Sequence, residues 1–130
     1  MCNFITIIDE QTANWSRDEA NDLMTNWLSS GDEFDAVFGN NDEMALGAIQ
    51  AMKASGISMD DVVVGGVDAT SDALLAMSVG DMDVTVFQDL AGQGAGSIET
   101  AMALVNGEAV DKAVFIPFKL VTPENLADFQ

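Results

Sequence analysis

Short runs that are apolar at successive positions recur along this chain, separated by segments of helical period. Val62-Val63-Val64 is the plainest example. A strand that is apolar on both faces has to be covered on both faces, and strands of this kind alternating with helices build parallel βαβ sheets. The pattern predicts an α/β fold, a three-layer sandwich with a mainly parallel sheet of Rossmann-like form. Right-handed crossovers bring the carboxyl ends of such strands to one edge. Ligands of open parallel sheets bind outside that edge.

In chain order, Asn3 to Asp9 contains the β-branched run Phe4-Ile5-Thr6-Ile7-Ile8 and reads as a first strand. Ser16-Arg17-Asp18-Glu19 has capping-box form. Ala20, Leu23, Met24, Trp27 and Leu28 then recur at helical spacing, which predicts a helix over 17–29 stopped by Ser30-Gly31. Phe34 to Phe38 is a second strand. A second helix follows over about 43–54, with Ala45, Ala48, Ile49 and Met52 facing inward and Ser55-Gly56 ending it. Asp61 to Gly66 is a third strand, and Ala73, Leu74 and Met77 mark a short helix closed by Gly80. Val84 to Phe87 is a fourth strand. A glycine-rich approach leads to a helix carrying Ile98, Ala101, Met102 and Val105, with Asn106-Gly107 as its C-cap. Ala113 to Ile116 reads as a fifth strand, interrupted by Pro117, and Phe118 to Val121 as an extended tail.

Composition narrows the partners. Of 130 residues, 22 are acidic and four basic, a net charge of −18, so the chain repels a phosphate backbone and an anionic membrane surface. No nucleic acid is expected as a ligand. Cys2 is the single cysteine and histidine is absent, so no internal disulfide can form and a zinc or copper site lacks its usual ligands. No cofactor or metal is expected. No apolar run reaches the length of a membrane span, and Met1 leads directly into the first strand with no charged n-region or h-region. The chain as written is therefore expected to carry no export signal and to stay in the cytoplasm if expressed as given.

The residues just after each predicted strand point to the ligand. Asn14-Trp15 comes after the first strand, Asn40-Asn41-Asp42 after the second, Asp68 after the third and Gln88-Asp89 after the fourth. A vicinal diol offers paired donors and acceptors that planar amides and carboxylates meet two at a time. An indole face covers the apolar C–H side of a sugar ring. Each residue also has a purely structural role open to it: Asn41 or Asp42 as a helix N-cap, Asp68 as a cap near Thr70 or a turn residue, Trp15 as a hydrophobic staple, Gln88 as an ordinary loop residue. Their shared edge favours a sugar or polyol site. Asp42, Glu43, Asp68 and Asp72 contain the paired carboxylates that glycoside hydrolysis uses. With no histidine, reactive cysteine or nucleophile elbow, however, no catalytic residue is assigned and the chain is not read as an enzyme. Gly92-Gln93-Gly94-Ala95-Gly96-Ser97 approaches a dinucleotide fingerprint but lacks its third glycine, and reads as a tight helix entry. The methionines read as core filling.

Three ordered motifs carry a resemblance: Ala36 to Ala48 (AVFGNNDEMALGA), Gly66-Val67-Asp68-Ala69-Thr70, and Thr85-Val86-Phe87-Gln88-Asp89. Together they closely resemble type I periplasmic sugar-binding proteins of bacterial ABC importers, of the ribose, galactose and inositol kind. The resemblance covers nearly the whole chain but only the carboxyl-terminal half of such a protein. It implies ligand contacts from Asn41, Asp68 and Gln88, with Trp15 stacking on the sugar, and it assigns no contact to Arg17. It also implies that residues 1–88 are part of the second lobe, that 89–116 is a helix and strand of the first lobe, and that 117–130 is the crossover and C-terminal tail. Partners implied are a monosaccharide or polyol such as ribose, galactose or inositol, and the importer's membrane subunits for the complete, periplasmic or extracellular protein. Half a clamp is expected to bind sugar weakly or not at all, and the uncovered faces to drive a homodimer, by exchange of 89–116 between two copies. The alternatives are the effector-binding half of a sugar-responsive transcriptional repressor and a ligand-free dimerisation fragment.

Overall fold

Gly47 marks a close approach of two helices. Helix α1 (Arg17–Ser30) and helix α2 (Asp42–Ala54) pack so tightly that a Cβ at Gly47 would lie 2.2 Å from the Arg17 carbonyl oxygen. In a computed structural model that describes residues 5–130, these helices, with β1 (Ala36–Phe38), β2 (Val63–Gly65), α3 (Ser71–Ser78) and β3 (Thr85–Phe87), form the body of the chain. Helix α4 (Leu90–Val105) and strand β4 (Lys119–Val121) complete the order.

The core follows from the helical stripes. Ala45, Ala48, Ile49 and Met52 of α2 are buried, as their spacing predicts, and meet Met24 of α1, Val64 of β2, Leu74 and Met77 of α3, and Met82. Met24, Met52 and Met82 are among the largest fully buried side chains. Their unbranched thioethers fill the irregular space between two helices and a short sheet. The tail closes one side: Val121 is buried and Phe129 packs on Phe87, ring centroids 5.4 Å apart.

Strands β1 and β2 pair in parallel, Ala36 opposite Val63 and Phe38 opposite Gly65. Parallel bridges Gly65–Val84 and Asp68–Phe87 continue this order to β3, so the carboxyl ends of β1, β2 and β3 lie on one edge. The α/β class and the mainly parallel sheet are as the sequence predicts.

Four expectations need correction. Phe118 to Val121 is more than an extended tail, because Lys119–Val121 pairs antiparallel with β3. Ala113 to Ile116 forms no strand; it lies beside α4, where Ile116 and Val114 approach Gly96, and no strand among the described residues flanks it to supply ladder partners. Ile5 to Asp9 forms no strand either; it lines, together with β1, an opening of about 1170 Å³, and no backbone pairing joins the two. The remainder of that predicted first strand, Asn3 and Phe4, lies outside the described residues. The glycine run Gly92 to Gly96 also falls inside α4, which begins at Leu90, and is not its approach.

Candidate functional site

The turn after β1 is fixed by glycine and amide chemistry. Gly39 donates to the Gly65 carbonyl at 2.9 Å, and a Cβ there would sit 2.6 Å from the Ala45 nitrogen, so the chain can enter α2 this closely only without a side chain. Asn41 then caps α2: its Oδ1 accepts from the Met44 N–H at 2.9 Å. That bond occupies the oxygen and leaves the two N–H donors of the same amide outside the cap.

Asp42, the first residue of α2, does something different. It is completely buried, and both carboxylate oxygens are engaged: Oδ1 accepts from the Thr85 hydroxyl at 2.6 Å and Oδ2 from the Thr70 N–H at 2.7 Å. Its own N–H donates to the Val67 carbonyl at 2.8 Å. Burial raises the Asp42 pKa above the usual carboxylate range; the two hydrogen bonds oppose that shift and the nearby Asp68 charge adds to it.

These bonds tie the first turn to the second. Beyond β2 the chain passes through Asp68 and Ala69, with φ of 123° and 54°, a left-handed region that L side chains seldom occupy. The Asp68 N–H donates to the Val86 carbonyl at 2.9 Å, and Gln88 Nε2 donates to Asp68 Oδ1 at 2.5 Å. Thr70 caps α3 through Ala73 N–H at 3.3 Å, so the cap near Thr70 is Thr70 itself and not Asp68.

Of the four sequence-predicted contacts, Asp68 and Gln88 touch, and the Asp42–Val67 bond ties the residue after Asn41 to the residue before Asp68. Trp15 is apart from those bonds. It follows Asn14 in a turn where both have positive φ (58° and 48°), its indole is 73% exposed, and it lines the large opening together with Gly39 and Asn40. An indole so exposed does not act as a buried staple for α1. Half of the predicted capping box is present: Ser16 accepts from Glu19 N–H at 3.3 Å, but Glu19 Oε2 takes Asn14 Nδ2 at 2.7 Å, because Ser16 N–H already donates to Ala13 at 2.8 Å.

Sequence reasoning missed two elements. Arg17, left without a contact, makes a bidentate pair with Glu43, both bonds 2.8 Å, and reaches Asp72 at 2.8 Å, so it joins the first turns of α1, α2 and α3; the two carboxylates push its pKa further up. The i, i+4 pattern carries no sign of a bond spanning 26 residues. Thr85 reads in sequence as one more β-branched strand residue, and nothing local marks its hydroxyl as the partner of Asp42.

The edge thus gathers an amide with free donors, a carboxylate with one oxygen on Gln88 and one to spare, and the Gln88 carbonyl. Paired donors and acceptors of this kind match adjacent hydroxyl groups. Among the described residues, no group of three or more Cys, Asp or Glu is placed to hold a metal ion, and no helix is long and apolar enough to cross a membrane.

Comparisons with known proteins bear on the fold that carries this edge. A family model described as a periplasmic binding protein domain matches residues 3–109. A Rhizobium meliloti protein whose name proposes rhizopine binding is 64% identical over 129 residues, 99% of this chain and 42% of the relative. The ribose import binding protein of Escherichia coli is 36% identical over 118 residues, 91% of this chain and 39% of its own length. Among solved structures, an ABC transporter solute binding protein from Bacillus halodurans with bound myo-inositol superposes with a TM-score of 0.87 at 54% identity, covering 95% of this chain and 42% of that one. The chain spans about two fifths of the length of the relatives it matches.

Proposed function

Because this chain belongs to the periplasmic binding protein domain family, we propose that it carries one wall of a binding site for a cyclic polyol or monosaccharide, within a protein that delivers its ligand to an ABC importer. Asn41, Asp68 and Gln88 supply the hydrogen bonds and Trp15 the apolar face. The observation that carries the reading is the Asp68–Gln88 pair beside the free Asn41 donors, on the edge where parallel sheets bind ligands. Names of relatives support the ligand class: myo-inositol in the Bacillus halodurans structure, ribose for the Escherichia coli protein. The role is binding and not catalysis.

Residues 1–88 belong to the second lobe, 89–116 to the first, and 117–130 to the crossover and tail. One wall leaves much of a sugar in water, so the chain alone binds weakly or not at all. The exposed apolar residues of α4, Leu90, Ile98, Met102 and Val105 among them, favour a homodimer in which two copies exchange 89–116.

Calorimetric titration of the 130-residue chain with myo-inositol, ribose and galactose, with its mass taken by light scattering, tests both statements. The expected result is heat too weak to fit below about millimolar Kd and a mass of two chains. Tight binding by a single-chain species would overturn the half-site reading, and a single-chain mass at micromolar concentration would overturn the exchange.

A further inference from the structure

Asp42 and Thr85 are both buried polar side chains that make no direct contact in the proposed sugar site. Apart from the bond between them, their side chains bond only to the turn that presents Asp68. Thr85 Oγ1 accepts from the Ala69 N–H at 3.2 Å and donates to Asp42 Oδ1 at 2.6 Å, while Asp42 Oδ2 takes the next amide, Thr70 N–H, at 2.7 Å. Two successive amides are thus held by one buried carboxylate, one directly and one through a hydroxyl. The residues just before and at the first of these amides are Asp68 and Ala69, at φ of 123° and 54°, a backbone shape that neither side chain favours and that the surroundings have to impose. Gly66 completes the arrangement, because a Cβ there would lie 2.5 Å from Asp42 Oδ1.

We propose that Asp42 and Thr85 form a positioning relay that holds the Asp68–Ala69 turn in its left-handed shape and thereby aims the Asp68 carboxylate, with Gln88 on it, at the ligand. The proposal rests on the sugar-site reading for its consequence, and on the hydrogen bonds alone for its mechanism. A carboxylate suits the position better than an amide, since the Thr70 N–H can only donate and the Thr85 hydroxyl, already accepting from Ala69 N–H, donates its proton here. The Asn side chain would set an N–H₂ against either the Thr70 N–H or the Thr85 hydroxyl. The alternative is a buried crosslink that adds stability without shaping the turn.

Thr85→Val keeps the side-chain shape and removes the hydroxyl; Thr85→Ser restores it. In the full chain labelled with ¹⁵N, Thr85→Val should speed hydrogen exchange at Ala69 and Thr70 by about tenfold relative to α2 amides. The Gln88 side-chain amide should move toward its free chemical shift, and Thr85→Ser should return both signals. Exchange at the turn that rises only in step with α2, with the Gln88 amide unmoved, would show a stability crosslink and overturn the relay. If Thr85→Val does not fold, the unsubstituted chain decides: the Ala69 amide, held only through the Thr85 hydroxyl, should shift together with the Thr70 amide as the Asp42 carboxyl carbon titrates, and an Ala69 amide that stays still overturns the relay. The two readings fail separately. Tight myo-inositol binding by a single-chain species overturns the half-site reading and leaves the relay standing, whereas turn amides that exchange only in step with α2 overturn the relay and leave the half-site reading standing.

Discussion

Helices α2 and α4 are built alike and end in opposite surroundings. Each follows a parallel strand, each is capped by an Asn or Asp side chain, and each carries apolar residues at helical spacing. Eight residues of α2 are buried and none of α4 is. Helical period therefore records which face is meant to be covered, while burial records whether the covering partner is in the chain. For α2 the partners are α1, α3 and β2; for α4 the described residues supply only the loop around Val114 and Ile116.

The largest test of that contrast is truncation of one apolar side chain in each helix. Met52→Ala, at a site with no exposure, should destabilise the fold by about 2–5 kcal/mol. Ile98→Ala, at 68% exposure in the single chain, should change it by no more than about 0.5 kcal/mol at concentrations too low for two copies to pair. Urea unfolding followed by tryptophan fluorescence measures both; a comparable loss from Ile98→Ala would mean that α4 is covered in solution, as an exchanged dimer requires.

A smaller effect separates the glycines. Gly47→Ala drives a methyl into the Arg17 carbonyl and should cost about 1–3 kcal/mol as α1 and α2 part. Gly94→Ala, with nothing within 4 Å, should instead favour α4 by about 0.5–1 kcal/mol through helix propensity alone. Circular dichroism on heating reads the opposite signs, and a loss from Gly94→Ala would place an unseen neighbour against the arm.

The third test is the gentlest, and the arm has no counterpart to it because none of α4 is buried. Burial, with Asp68 nearby, raises the Asp42 pKa in the fold above its value in the unfolded chain. The folded state then holds this proton more tightly, so the contribution to stability is fully present below the unfolded value and is lost as pH rises through the folded one. Asp42→Asn cannot titrate. The stability of the unsubstituted chain relative to Asp42→Asn should be highest in acid and shrink from about pH 4 upward. A difference that grows with pH would mean that the hydrogen bonds from Thr85 and Thr70 outweigh burial.

How much of this was legible in sequence depended on range. Helix α1, predicted over 17–29, spans Arg17–Ser30, and α2 starts one residue before its predicted place, because stop signals such as Gly31 and caps such as Asn41 act within one turn. The parallel order of β1, β2 and β3 followed from continuous apolar runs. Ile5 to Ile8 and Ala113 to Ile116 have the same composition and form no strand, since a ladder needs a neighbouring backbone that no local pattern can supply. The places of Asn41, Asp68 and Gln88 beyond β1, β2 and β3 were legible because topology alone sends strand ends to one edge. The Asp42–Thr85 bond was not: it joins positions 43 residues apart, and its donor reads as strand filling.

The cap on Asn41 has a consequence for how a ligand would be met. With Oδ1 held by Met44 N–H, the amide is set before anything arrives, and its two N–H donors are the groups that the cap leaves unused. A hydroxyl approaching this residue finds a rotamer already chosen by the helix behind it. Freezing such a side chain on binding costs about 0.5–1.5 kcal/mol where it is free to turn, and here that entropy is lost during folding instead.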